Sequence, residues 1–199
     1  MLDLGPSKEC EMVLAFLQAE AEADRYAEIV EQGVLATGFT RGELIEQPDL
    51  GDLRQNQARL WILGAYRGYR QNRLLFLNFP SDAAWRRIEL EPSELDKLKY
   101  ANEASWVQMS DGTRKPSRLV EKLKSGQLPN ELTARIRAIQ LRYEEGLTFP
   151  DLIAAEAADS SFILIEGHSR ASAYAASHLK NGIRMFLATS PSMPSWFFY

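Results

Sequence analysis

Phe162-Ile163-Leu164-Ile165-Glu166-Gly167-His168-Ser169-Arg170-Ala171-Ser172-Ala173-Tyr174 decides the fold. Four consecutive apolar residues at strand length read as a β-strand buried on both faces. The alanine-rich run Ala171 to Leu179 reads as a helix that Asn181-Gly182 ends, and Ile183 to Thr189 reads as a final strand. Upstream, Leu152 to Ala157 reads as a strand and Ala158-Asp159-Ser160-Ser161 as the turn of a hairpin. Strand, hairpin, strand, loop, helix, strand is the order of an α/β or α+β domain.

Further out, Trp85 to Leu90 alternates, with Ile88 and Leu90 on one face and Arg87 and Glu89 on the other. Leu74 to Phe79 is apolar, is closed by Pro80, and reads as another strand. Ser93 is expected to cap a short helix, Glu94 to Lys99. Leu132, Ile136, Ile139 and Tyr143 recur at helical spacing, with Asn130 as N-cap and Gly146 as stop. A short helix near Ser117 to Lys124 follows the polar loop Ser110 to Pro116. The first third reads helical, over Glu11 to Val30 with Ser7 as N-cap and over about Leu50 to Tyr69. Glu20 and Asp24 interrupt the first apolar stripe. The expected division is an N-terminal helical region over 1–80, packed on a core over 81–199.

Composition bounds the function. The chain has 199 residues, 45% hydrophobic and 25% charged, which suits a folded domain. No apolar run is long enough for a transmembrane helix. The start shows no basic segment followed by an apolar one, so no secretory signal is expected and the expected compartment is cytoplasmic. Cys10 alone excludes an internal disulfide, and His168 and His178 are too few for a histidine-rich zinc site. A net charge of -4 argues against a dedicated nucleic-acid surface. Arg135, Arg137 and Arg142, and Arg67, Arg70 and Arg73 with Tyr66 and Tyr69, read as solvated faces rather than as such a surface. No Walker-type glycine-lysine loop and no Gly-x-Ser-x-Gly elbow is present. His178 reads as structural or solvent-facing. The aromatic tail Trp196-Phe197-Phe198-Tyr199 is expected to pack on the core or on a second copy.

The chemistry concentrates where the buried strand opens into the helix. Free N–H groups and the positive helix end meet there, which suits an anion, phosphate above all. Gly167 allows close backbone approach, Ser169 and Ser172 add hydroxyl donors, and Arg170 adds a guanidinium that grips two phosphate oxygens at once. Glu166 is the candidate metal ligand or proton acceptor, with His168 beside it for acid–base work. Thr113 and Arg114 offer a second phosphate contact. A plain helix start with Ser169 as N-cap and Arg170 solvated accounts for the same residues, as a simple turn does for Thr113 and Arg114.

Glu166-Gly167-His168-Ser169-Arg170-Ala171 after an apolar hairpin resembles the Gly-x-x-Arg signature of the ParB/sulfiredoxin superfamily. Partition proteins of that family carry Gly-Glu-Arg-Arg there and bind CTP; sulfiredoxins carry Gly-Cys-His-Arg and bind ATP; free-serine kinases carry an acidic-Gly-His-His-Arg run. The resemblance covers the chain from Trp85 to the C-terminus. It implies a ParB/sulfiredoxin-like mixed small sheet with helices, with Gly167 and Arg170 gripping the phosphates of a nucleoside triphosphate or diphosphate with magnesium. The sulfiredoxin cysteine is His168 here, which excludes sulfinic-acid reduction at that position. The stretch after Arg170 is too short for a partition protein's helix-turn-helix. The expected function is a nucleotide-binding protein, either a magnesium-dependent phosphotransferase or nucleotide hydrolase acting on a small molecule. The alternatives are a non-catalytic module that a nucleotide switches between partners, and a nuclease. Expected partners are a nucleotide, a small-molecule acceptor and a second copy, without membrane.

Overall fold

A computed structural model describes residues 1–177 and 182–199. The expected end of the last helix at Leu179, the stop at Asn181 and the reading of His178 lie outside the described residues. A six-stranded mixed sheet carries the fold, in the order β1-β2-β6-β4-β5-β3. Its strands are β1 Leu2–Pro6, β2 Ala84–Leu90, β3 Leu98–Lys99, β4 Leu152–Glu156, β5 Phe162–Glu166 and β6 Ile183–Thr189. β4 pairs antiparallel with β5 and parallel with β6, β6 pairs antiparallel with β2, and β3 lies parallel to β5.

The alternation of side chains divides the core between two faces. Ile153, Ala155, Ile163, Ile165, Phe186 and Ala188 point to one face and pack under α1 Glu9–Ala21, α2 Ala27–Thr37 and α3 Leu53–Arg67. Leu152, Ala154, Phe162, Leu164, Met185 and Leu187 point to the other, under α5 Pro116–Lys124, α6 Asn130–Glu144 and α7 His168–Ala176. The continuous apolar text of β5 thus reflects helices on both faces of the sheet. A short helix, α4 Ala104–Met109, follows β3. None of the described helices is long and apolar enough to cross a membrane.

Several local expectations change. Leu74–Phe79 is not a strand but a short 3₁₀ turn at Leu74–Phe76 followed by loop. Its aromatic side chains fill the space beside α1 and α3: Phe76 is buried and its ring meets Phe16, Tyr69 and Phe79. The helix expected over Glu11 to Val30 is two, broken at 22–26, and Lys8 rather than Ser7 occupies the N-cap position of α1, its N–H donating to Glu11 Oε2 at 2.8 Å. Pro92–Lys97 is 3₁₀ and runs into β3, where a helix over Glu94–Lys99 was expected. Pro129 rather than Asn130 occupies the N-cap position of α6, with no side-chain capping bond. β1 is an unexpected edge strand whose Pro6 costs no ladder bond there. Because β1 pairs with β2, the sheet crosses the boundary expected at 80/81.

The aromatic tail packs on its own core. Trp196 is buried and donates from Nε1 to the Leu75 carbonyl at 2.8 Å. Phe197 N–H donates to Leu77 O at 3.0 Å, and Phe198 O accepts from Asn102 N–H at 2.8 Å. The tail therefore ties the segment before β2 to the segment after β3.

Candidate functional site

β3 runs parallel to the first residues of β5, and the chain continues through Tyr100 and Ala101 toward the end of β5; in open α/β sheets the space beyond the carboxyl ends of strands is where ligands bind. β5 ends at Glu166, Gly167 caps α7, and the helix begins at His168. Gly167 has φ +97, a left-handed conformation that favours glycine, and an added Cβ would collide with Leu152 Cδ2. The turn and the packing on β4 therefore require this glycine whether or not a ligand binds. With no side chain, Gly167 supplies no acceptor to the first N–H groups of α7, which have none inside the helix either.

Arg170 departs most from expectation. It is 7% exposed and does not project into open solvent. Its guanidinium donates from Nη2 to Glu166 Oε2, four residues earlier, and from Nη1 to the Pro150 carbonyl. One side chain thereby binds the end of β5, the first turn of α7 and the approach to β4. Glu166, the candidate metal ligand and base, spends a carboxylate oxygen on this pair. Ser172, a candidate phosphate donor, is fully buried; its hydroxyl donates to the His168 carbonyl at 2.8 Å and lies 2.7 Å from the Tyr100 hydroxyl.

His168 lies in an aromatic stack. Its ring sits 5.7 Å from Tyr100 and 5.0 Å from Trp106, both near parallel. Nε2 accepts from Ala101 N–H at 3.3 Å, which assigns the ring proton to Nδ1. Burial, followed by the charges of Arg67, Arg170 and Arg114, pulls its pKa down to about 3. The imidazole is neutral at pH 7 and carries its proton on Nδ1. Ser169 is half-buried, and its hydroxyl makes no hydrogen bond among the described residues.

The 110–115 loop reaches the same end of the sheet through Arg114. Arg114 Nε donates to Tyr100 O at 2.7 Å, and its terminal nitrogens donate to the backbone oxygens of Tyr199 and Phe198 at 3.2 and 3.4 Å. No aspartate or glutamate pairs with it directly among the described residues; the Tyr199 oxygen it meets belongs to the last residue of the structure, and the charge of Asp159 also acts on it. Thr113 is held in the turn, donating to Ser110 O at 2.7 Å and accepting from Lys115 N–H at 3.3 Å, which is the turn reading of that residue.

The sequence did not reveal the contribution of α3. Arg67 was read as part of a solvated face; it pairs with Glu20 of α1, which is 2% exposed, and its guanidinium lies 3.8 Å from the Tyr26 ring centre. Burial raises the pKa of Glu20, against the opposing pull of Arg67. The signal was present in Glu20 itself, a carboxylate within an apolar helical stripe, which needs a buried cation. Its partner lies 47 positions away, and nothing local names it. Arg70 and Arg73 are also committed, to Glu9 and to the carbonyls of Gly64 and Ala65.

The loop after β5 is thus built as a largely buried Arg170–Glu166 pair and a neutral histidine around an uncapped helix start, with Arg114 reaching it through Tyr100. No group of three or more histidine, cysteine or acidic side chains among the described residues is arranged to hold a metal ion. No protein-family model matches this chain, and no curated protein and no solved structure matches it.

Proposed function

We propose that this chain binds a phosphate-bearing ligand, a nucleotide by preference, at the start of α7, in a ParB/sulfiredoxin-like core. The observation that carries the reading is a helix N-terminus with no side-chain cap at Gly167–His168, to which Ala101 and Tyr100 bring His168 and Arg114. Glu20 pairs with Arg67 and Glu166 with Arg170, so those two guanidinium groups are already engaged. The donors that remain for phosphate are the amides of His168, Ser169 and Arg170, the Ser169 hydroxyl, His168 Nδ1–H and Arg114. Arg170 serves by fixing the loop rather than by gripping oxygens. The order β2, hairpin β4–β5, α7, β6 is compatible with the family resemblance.

The arrangement favours binding over turnover. His168 Nε2 accepts from Ala101 N–H, so its lone pair is engaged, and Glu166 commits Oε2 to Arg170. Glu166 alone does not make a protein-held magnesium site; an accompanying magnesium ion would be carried by the ligand's own phosphate oxygens. A nucleotide-responsive binding module is therefore the preferred form, with phosphoryl transfer as the second reading.

The test is calorimetry with ATP, CTP, GTP, ADP and inorganic phosphate, each with and without magnesium, on the wild type and on Ser169→Glu. A carboxylate in the first turn of α7 stabilises the helix by about 0.3–1 kcal/mol while filling the anion position. Expected is ligand binding that Ser169→Glu weakens at least about ten-fold with no loss of melting temperature. No binding of any of these ligands at millimolar concentration refutes the reading. Turnover to a diphosphate product would favour the second reading.

A further inference from the structure

The aromatic tail is fixed firmly at one point and loosely beyond it. Trp196 is the fixed point: it is buried, and its Nε1 donates to the Leu75 carbonyl at 2.8 Å. Phe197 N–H donates to Leu77 O at 3.0 Å. Phe198 and Tyr199 are only half-buried. Phe198 O accepts from Asn102 N–H at 2.8 Å, and the Tyr199 hydroxyl accepts from Ala158 N–H at 2.6 Å. Both residues also give a backbone oxygen to the guanidinium of Arg114, at 3.4 Å from Phe198 and 3.2 Å from Tyr199.

These two Arg114 contacts are long. A guanidinium–phosphate contact runs at about 2.7–2.9 Å and is roughly twice as strong as a bond to a neutral acceptor. No aspartate or glutamate pairs directly with Arg114 among the described residues, so its terminal nitrogens are held by the tail's oxygens. Nε is fixed separately, on Tyr100 O at 2.7 Å, so the terminal nitrogens are able to change partner while the side chain stays in place. The peptide group between Tyr100 and Ala101 serves both sides: its oxygen takes Arg114 Nε, and its N–H meets His168 Nε2 at 3.3 Å. One peptide group therefore separates Arg114 from the first residue of α7. A phosphate chain running from the α7 amides to Arg114 needs the same two donors as the tail.

We propose, resting on the phosphate reading of the α7 site, that Phe198–Tyr199 is a strap that occupies Arg114 until the phosphate ligand displaces it. Trp196 stays buried throughout, so release reaches only the two residues beyond Phe197. Ligand binding and strap release are then reciprocal: whatever loosens the strap tightens the ligand, and the ligand loosens the strap.

The test uses inorganic tripolyphosphate, which carries a nucleotide's phosphate charge without its base, on the wild type and on Tyr199→Phe. The variant loses the bond to Ala158 N–H but keeps the ring and both backbone oxygens, and Ala158 is exposed, so water takes over its amide. One such bond corresponds to roughly a two- to ten-fold change in an equilibrium constant. Expected is tripolyphosphate binding that Tyr199→Phe tightens by that factor, at a melting temperature close to wild type. Hydrogen exchange on the wild type gives the second readout. Saturating tripolyphosphate should speed exchange of the Asn102 amide, which is bonded to Phe198 O, at least about three-fold, whereas a ligand that only stabilises the fold slows exchange. Equal affinity of the two proteins, or an Asn102 amide that exchanges no faster with ligand, overturns the strap and leaves the α7 reading standing. No binding to either protein at millimolar concentration overturns both. The exchange measurement is made on the wild type and stands even if the variant does not fold.

Discussion

Replacing Arg170 with alanine should unfold this protein more easily before it affects any ligand. The guanidinium is 7% exposed, pairs with Glu166, and satisfies the Pro150 carbonyl. Removing one partner of a buried ion pair costs roughly 3–5 kcal/mol, because the other charge is left without compensation. The Glu166 side chain keeps 18% exposure, so water recovers part of that cost. The expected loss is about 2–4 kcal/mol, or a fall in melting temperature of about 5–15 °C for a chain of this size. Urea unfolding should show a lower midpoint at unchanged slope. The double variant Glu166→Ala/Arg170→Ala should be more stable than the sum of its single variants implies, by about 0.5–3 kcal/mol. Arg170→Lys should restore only part of the loss, since a point charge cannot reach Glu166 and Pro150 O together. A loss below about 0.5 kcal/mol, with additive effects of the two residues, would refute the assignment of Arg170 to the structure and return its guanidinium to a ligand.

Two further outcomes follow from the same loop. Gly167→Ala should cost about 2–4 kcal/mol, from backbone at φ +97 and collision with Leu152, and a urea midpoint equal to wild type would contradict it. His168 should make the fold acid-sensitive: the unfolded chain takes up its proton below about pH 6.5 while the folded site holds the pKa near 3, so stability falls as pH drops between those values. His168→Gln should flatten the slope of urea midpoint against pH over that window; Glu20, whose pKa is raised, works in the opposite sense, so the wild-type and variant slopes must be compared, and parallel slopes would exclude His168 as the source.

The sheet was legible where short-range rules suffice. Phe162–Ile165, Leu152–Ala155 and Ile183–Thr189 lie in strands because a strand between two helical layers is apolar along most of its length, and that pattern is local. The glycine turn and the helix after it were legible for the same reason, since only Gly167 fits the left-handed corner between Glu166 and His168. The 74–79 segment misled because buried aromatics make the same text whether their backbone joins a ladder or a loop. β1 and β3 went unseen because edge strands and two-residue strands owe their existence to a neighbour rather than to their own composition.

What the sequence determined by itself was the α/β character, the hairpin and the location of the chemically distinctive loop. It could not say which way the side chains of that loop point. Glu166 and Arg170 are four residues apart, yet whether they pair with each other or face a ligand depends on the Pro150 carbonyl arriving from the approach to β4. Arg67 and Glu20 meet only because α1 and α3 pack on one face of the sheet. Burial decides the outcome in both cases: a charge removed from water must take the nearest compensating group, and which group is nearest is fixed by long-range packing that no local pattern encodes.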